Sequence, residues 1–115
     1  MTPLAPGALL AQSQPGDTAT ATLFTATIKT QMNLLVVANV TGTAATFRLH
    51  HDVGGTTFDS TNALYYGKSV AANDSMTVNF SDAGIELAAG DSLGIQSGTA
   101  SALTFSAYGV VAPQR

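Results

Sequence analysis

The nine residues ATFRLHHDV, Ala45 to Val53, decide the fold class of this chain. Apolar and polar side chains alternate along them with a period of two, which is the period of a β-strand. The apolar side consists of the odd-numbered residues Ala45, Phe47, Leu49, His51 and Val53. The polar side consists of Thr46, Arg48, His50 and Asp52. We therefore predict a strand with one face in the core and one face outside.

The same period recurs along most of the chain. It is visible in ATATLFTA (19–26), ALYYGKSV (63–70), SMTVNF (75–80) and ALTFSAYGVV (102–111), with turn residues between the segments. In MNLLVVANV (32–40) both faces are apolar, which predicts a central strand that is covered on two sides. This spacing of short strands predicts an all-β fold, either an antiparallel β-sandwich or a jelly-roll-like barrel, with an extended N-terminal arm.

We divide the chain into an arm (residues 1–17), a single β-sandwich domain (18–112) and a short tail (113–115). Three of the four prolines lie in the arm. Because proline lacks a backbone N–H, we predict neither strand nor helix there. The arm also carries Leu4, Leu9 and Leu10, which a purely solvated tail does not need, so contact with a partner is one interpretation. A disordered leader, the default at a chain terminus, is the alternative.

The composition is poor in charge. Charged residues make up 10% of the chain, whereas about 25% is usual, and Ala, Thr, Ser and Gly together supply roughly half of the residues. One interpretation is a soluble β-protein coated with Thr and Ser. The other is a subunit whose faces are buried against copies of itself or another protein, since charge is depleted at the core of interfaces. We favour assembly.

Several classes of function are disfavoured. The net charge is −3 with four Lys and Arg residues, so there is no basic stripe for nucleic acid. The absence of cysteine excludes thiolate chemistry and Cys-based zinc sites. No apolar run approaches the 18 or so residues of a membrane span, and the N-terminus lacks the basic region of a signal peptide. We expect synthesis and retention in a cytoplasm until assembly.

The stretch AAGDSLGI (88–95) contains Gly-Asp-Ser-Leu, the signature of the GDSL esterases and lipases, with Ser92 as the nucleophile. Those enzymes need a histidine base later in the chain, but no histidine follows His51. A near-copy, AANDSMTV (71–78), occurs 17 residues earlier. Asn and Gly tolerate positive φ, and Asp and Ser bond nearby backbone N–H groups in turns. We therefore predict two matched turns that lead into strands, no catalytic residue and no enzyme.

His50, His51 and Asp52 are the remaining candidates for chemistry. Adjacent strand residues point to opposite faces, so the two imidazoles are poorly placed to share a metal. A metal site assembled across a symmetry axis stays open, but we predict no metal and no cofactor. We expect His51 to be a hydrogen-bonded, partly buried side chain and His50 to be a subunit contact. Tyr65 and Tyr66 should divide between the core and an interface or solvent.

From about Leu23 to Val111 the chain resembles a family of small virion proteins of tailed bacteriophages. The resemblance rests on ordered segments: TLFTA (22–26), LLVVANVTG (34–42), AATF (44–47), LYYG (64–67), the AAND and AAGDS turns, and SAYGV (106–110). One departure is Lys29-Thr30-Gln31, where relatives often have a turn with Pro or Gly.

The resemblance implies a virion structural protein. We expect a capsid decoration (cement) protein, a homotrimer on the outer surface of the head, that binds the major capsid protein and stabilises the shell. We expect no nucleic acid, no membrane and no small-molecule substrate as partners. Leu4, Leu9 and Leu10 are then the predicted capsid contacts, and Arg48, His50 and Tyr66 the predicted subunit interface. A tail or fibre component that binds the host surface is the alternative.

Overall fold

The computed structural model describes residues 8–80 and 84–111. Within them lie nine strands and one short 3-10 helix, Ser60–Asn62. The strands are β1 Ala8–Ser13, β2 Ala21–Thr25, β3 Thr30–Asn39, β4 Ala45–Asp52, β5 Ala63–Val70, β6 Ser75–Asn79, β7 Ile85–Leu87, β8 Ser92–Ser97 and β9 Leu103–Val111. The prediction of an all-β chain is confirmed.

The strands form two antiparallel sheets that pack as a sandwich. The first sheet has the order β1-β9-β3-β6, with β7 also paired to β3, and the second has the order β2-β8-β4-β5. Both sheets have free edges, so among the described strands the barrel alternative is not found and the sandwich is.

The core lies between the sheets and is made by alternate residues of the strands. Phe47 of β4 and Phe105 of β9 meet edge to face with their ring centroids 5.9 Å apart. Tyr65 stacks on Phe47 with the ring centroids 5.8 Å apart, a geometry that aromatic pairs prefer. Tyr66, the next residue, is 56% exposed. The predicted division of the two tyrosines between core and surface is confirmed.

Strand β3 differs from its prediction. It is central, because β9 lies on one side of it and β6 and β7 on the other. Its inward residues, such as Leu35 and Val37, are buried, but the alternate residues Leu34 and Val36 are only half-buried. The prediction that both faces of β3 are covered is therefore wrong for the single chain, because the second apolar face is partly open to solvent.

The expectation that residues 1–17 contain no strand is wrong for Ala8–Ser13, which pairs with β9 as an edge strand. The prolines do not prevent this pairing, because Pro3 and Pro6 precede the strand and Pro15 follows it. A bulge between Leu9 and Ala11 interrupts the alternation, which removes the period-two signal from the sequence. Leu4 and the predicted tail, 113–115, lie outside the described residues.

Strand β5 is an edge of the second sheet and is bulged twice. Arg48 of β4 pairs with Tyr66 and Phe47 pairs with Lys68, so Gly67 is an extra residue, and Leu64 is passed over in the same way. Gly67 has a φ of 85°, which suits the left-handed position of a bulge and favours glycine there.

Candidate functional site: two outer faces and a buried turn

The outer face of the first sheet carries no charge along four neighbouring strands. We call it the neutral face, and it consists of Leu9, Gln12 and Gln14 in or after β1, Thr104, Ser106 and Tyr108 in β9, Leu34, Val36 and Ala38 in β3, and Ser75, Thr77 and Asn79 in β6. Alternation along each strand places these residues on the side away from the core. The strand register aligns them in rows, such as Leu9, Tyr108, Leu34 and Asn79.

Two glutamines of the neutral face form hydrogen bonds with residues of the neighbouring strand β9. Gln12 Nε2 donates to Ser106 Oγ at 2.9 Å, and Gln14 Nε2 donates to Thr104 Oγ1 at 3.1 Å. These bonds satisfy part of the polar groups inside the face itself. A partner that covers the face therefore meets fewer unpaired donors and acceptors, which lowers the cost of removing water from it.

The outer face of the second sheet brings Arg48 and Tyr66 together. They are register partners on β4 and β5, and the guanidinium carbon of Arg48 lies 3.8 Å from the centroid of the Tyr66 ring. This is cation–π geometry, which is worth about 0.5–1 kcal/mol at an exposed site. Two of the three predicted interface residues are therefore neighbours on one surface.

His50, the third, points to the same outer side but is only 2% exposed. The loop after β4 covers it: Nδ1 of His50 lies 2.9 Å from the carbonyl oxygen of Asp59 and 3.2 Å from Oδ1 of Asn62. The Phe58 ring lies on Gly94, where any added Cβ would come within 2.5 Å of it. A contact through His50 would first require this loop to move, so Arg48 and Tyr66 are the accessible part of the predicted interface.

A groove of about 250 Å³ lies beside Arg48. Its walls include Thr46 and Arg48 of β4, Gln96 of β8, and the bulge residue Gly67. Phe47, Thr18 and Gly98 complete the lining. Sequence reasoning did not find this groove, because it depends on the strand order and on the Gly67 bulge.

The stretch 88–92 is a turn, as predicted. The N–H of Asp91 donates to the carbonyl of Ala88 at 3.0 Å, and Gly90 has a φ of 95°. Ser92, the first residue of β8, is fully buried, and its hydroxyl shares a 2.8 Å hydrogen bond with the hydroxyl of Thr25. A serine nucleophile is activated by a hydrogen bond to a base such as an imidazole. No imidazole of the described residues is bonded to the Ser92 hydroxyl.

The carboxylate of Asp91 joins this turn to the turn after β4. It accepts hydrogen bonds from the N–H of Gly54 at 2.9 Å and of Ala88 at 3.0 Å. His51 Nε2 lies 3.6 Å from Oδ2 of Asp91, beyond hydrogen-bond distance, and has no hydrogen-bond partner among the described residues. His51 is thus partly buried as expected, but its Nε2 makes no hydrogen bond with a described residue. It faces the carboxylate of Asp91, a contact that we did not predict from the sequence.

Burial by itself raises the pKa of Asp91. The N–H groups of Ala88 and Gly54 and the charge of His51 outweigh that effect, so the pKa of this carboxyl lies below its ordinary value of 3.8. Asp59 also has a lowered pKa, because the Thr61 hydroxyl and backbone N–H both donate to it. Both aspartates use their charge to hold backbone turns.

Residues 8–80 and 84–111 contain no group of three or more His, Asp or Glu side chains that could hold a metal ion. The same part of the chain has no helix that is both long enough and apolar enough to cross a bilayer.

Comparison with protein-family models, with curated proteins and with solved structures finds no match to this chain. The resemblance to phage virion proteins therefore stays a prediction from the sequence.

Among the predicted capsid contacts, Leu9 is 51% exposed on the neutral face. Leu10 instead packs partly against the core. Of that group, Leu9 is thus the described residue that is placed to meet a partner. The sequence signal that was available for the neutral face is the second apolar side of β3, which we had assigned to the interior.

Proposed function

We propose that this chain is a structural protein of a tailed-bacteriophage virion that decorates the outside of the head and stabilises the shell. The observation that carries the proposal is the neutral face. The outer side of β1, β9, β3 and β6 has no charge and includes half-buried Leu34 and Val36, which is the character of the centre of an interface, where charged residues are depleted. The charged Glu86 of the same sheet lies on β7, outside this set. The sequence resemblance supplies the virion context.

The neutral face is smaller than a standard protein–protein interface, so binding to the shell requires further contacts. Four strands about 4.8 Å apart, each with about five residues of about 3.4 Å, give it a footprint of roughly 330 Å². A standard interface takes about 800 Å² from each partner. Other surfaces must supply the remaining contact area. We assign it to the predicted arm, which precedes the exposed Leu9 in the chain, and to contacts between copies in a homotrimer. Many copies on one shell then add their individually modest binding energies.

Charge placed on the neutral face tests the proposal. Val36 lies in the middle of it, between Ser106 and Thr77. Val36→Lys should reduce occupancy on shells assembled without this protein by about tenfold or more, because the lysine would have to be buried unpaired. Ser69→Lys is the matched control, since Ser69 is exposed on β5 of the other sheet, and it should bind normally.

Deletion of residues 1–7 should also lower occupancy, and sedimentation of the free protein should give the mass of a trimer. If the lysine variant and the deletion both bind like the unaltered chain, the neutral face and the arm are not the shell contacts. A count of chains per virion separates head from tail, since a head protein occurs in numbers comparable with the shell subunits.

A further inference from the structure

We propose that the groove beside Arg48 is a binding site for a carboxylated sugar, such as a hexuronic acid residue. The site combines one fixed cation with neutral hydrogen-bonding groups. It lies on the second sheet, whereas the neutral face lies on the first. The inference therefore does not use the neutral face, and it takes Arg48 and Tyr66 as a ligand site in place of the predicted subunit interface.

The cation of the groove has no carboxylate partner among residues 8–80 and 84–111. In the described part of the chain, Lys29 forms an ion pair with Glu86 at 3.2 Å, and His51 lies 3.6 Å from Asp91, which is an ion pair only when the imidazole is protonated. Arg48 has no described carboxylate within the 4.0 Å of an ion pair. In a protein of net charge −3, a cation without a carboxylate neighbour is available to an anionic ligand.

Tyr66 fixes the direction of this cation. With its carbon 3.8 Å from the ring centroid, the guanidinium is held against one ring face while its N–H groups stay free to donate. A planar guanidinium held in this way presents paired donors that match the two oxygens of a carboxylate. Lysine in the same place would supply a charge without this geometry.

The other polar groups that line the groove can form hydrogen bonds with the hydroxyls of a sugar. The hydroxyls of Thr18 and Thr46 make no hydrogen bond with any described residue. The amide of Gln96 donates to the Thr18 carbonyl at 2.8 Å, which leaves its second N–H for a ligand. Gly67 and Gly98 line the groove without side chains, and a Cβ at Gly98 would collide with the hydroxyl oxygen of Thr46.

The size and chemistry of the groove favour a sugar over the side chain of an acidic protein. A volume of about 250 Å³ lies below the usual range for drug-sized ligands, about 300–1,000 Å³, and matches a single ring. An aspartate or glutamate side chain would meet Arg48 but would leave the threonine hydroxyls unused. A hexuronate brings a carboxylate together with neighbouring hydroxyls. The mode of recognition is charge and hydrogen bonding, because Arg48 occupies one face of the Tyr66 ring.

The test is an NMR titration of the intact chain with three probes: sodium glucuronate, glucose and a blocked glutamate. Glucuronate should shift the amide signals of Arg48, Gly67 and Gln96 with a dissociation constant of about 1 mM. Glucose lacks the carboxylate and blocked glutamate lacks the ring hydroxyls, so both should bind at least several-fold more weakly.

Arg48→Gln should weaken glucuronate binding about tenfold. Lys29→Gln removes the same charge far from the groove, as Lys29 pairs with Glu86, and should leave binding unchanged. Thermal unfolding of both variants establishes that they are folded. Absence of shifts with glucuronate, equal binding of glucose, or equal loss in the two variants would overturn the proposal. Tighter binding of blocked glutamate would also overturn it and would assign the groove to a protein carboxylate.

Discussion

Two turns of this protein are built from nearly the same residues, Ala71–Ser75 and Ala88–Ser92. In each, the aspartate N–H donates to the carbonyl of the first alanine, at 3.2 Å in the first turn and 3.0 Å in the second. The residue before the aspartate has a positive φ, 54° at Asn73 and 95° at Gly90. The N–H of that residue donates to a carbonyl just after the end of a strand, that of Thr41 after β3 in the first turn and that of Ala26 after β2 in the second.

The aspartate side chains differ completely. Asp74 is exposed, and its carboxylate accepts from the N–H of the next residue, Ser75, at 2.8 Å. Asp91 is buried, accepts from two backbone N–H groups in different loops and faces His51. Local sequence therefore sets the shape of both turns, whereas tertiary neighbours decide whether the carboxylate serves one turn or ties two together. We expect the stability of the sandwich to depend much more on the second turn.

The largest difference should come from the aspartates. Asp91→Ala leaves the N–H groups of Gly54 and Ala88 without their acceptor, whereas Asp74→Ala removes one bond in an exposed turn. Unpaired partners cost more than a lost exposed bond, so the fall in the free energy of unfolding should be about three times as large for Asp91→Ala. Urea unfolding measures both variants, and equal losses would contradict the comparison.

The residues with positive φ should give the next largest effect. A Cβ added at Gly90 would meet no atom within 4 Å, so the cost of Gly90→Ala comes from the backbone alone and should be about 1–2 kcal/mol. Asn73→Gly places the most permissive residue at the matching position, and we expect a change within about 0.5 kcal/mol. If Gly90→Ala is neutral by urea unfolding, the turn does not need its positive φ.

The smallest effect should appear at low pH. The pKa of Asp91 is lowered in the folded protein, so its ionised form stabilises the fold above the ordinary value of 3.8. That stabilisation is lost as the pH falls through the folded pKa. The unaltered chain should therefore lose stability below about pH 3.8, and Asp91→Asn should lose less over the same range.

Asp74→Asn is the matched variant for this measurement. Urea midpoints followed from neutral to acid pH should be changed more by Asp91→Asn than by Asp74→Asn. Parallel curves for Asp91→Asn and the unaltered protein would show that the buried carboxylate adds nothing to the pH dependence.

The sequence was sufficient for the fold class and for the turns. Alternation in Ala45, Phe47 and Leu49 describes a half-buried strand, and the structure buries all three. The near-repeat of AANDS and AAGDS identified the Asp-Ser pairs as turn residues. These features are local, because strand period and turn preference are properties of consecutive residues.

Features that depend on distant residues were beyond the sequence. His50 has the alternation of an outward residue, but Phe58 anchors a loop over it by lying on Gly94. Arg48 meets Tyr66 because the bulge at Gly67 shifts the register by one residue. Strand β1 exists because β9 offers a free edge. None of these pairings leaves a periodic signal in one stretch of chain.

The two bulges of β5 also affect how readily this edge of the sheet can pair with another chain at high concentration. A regular exposed edge strand is a template on which another chain can add its own strand, and repeated addition leads to fibres. Leu64 and Gly67 are bulge residues without a partner residue on β4. Bulges of this kind twist the edge strand and interrupt its row of backbone donors and acceptors. This edge of the sheet is therefore a poor seed for strand addition, even when many copies of the protein crowd together.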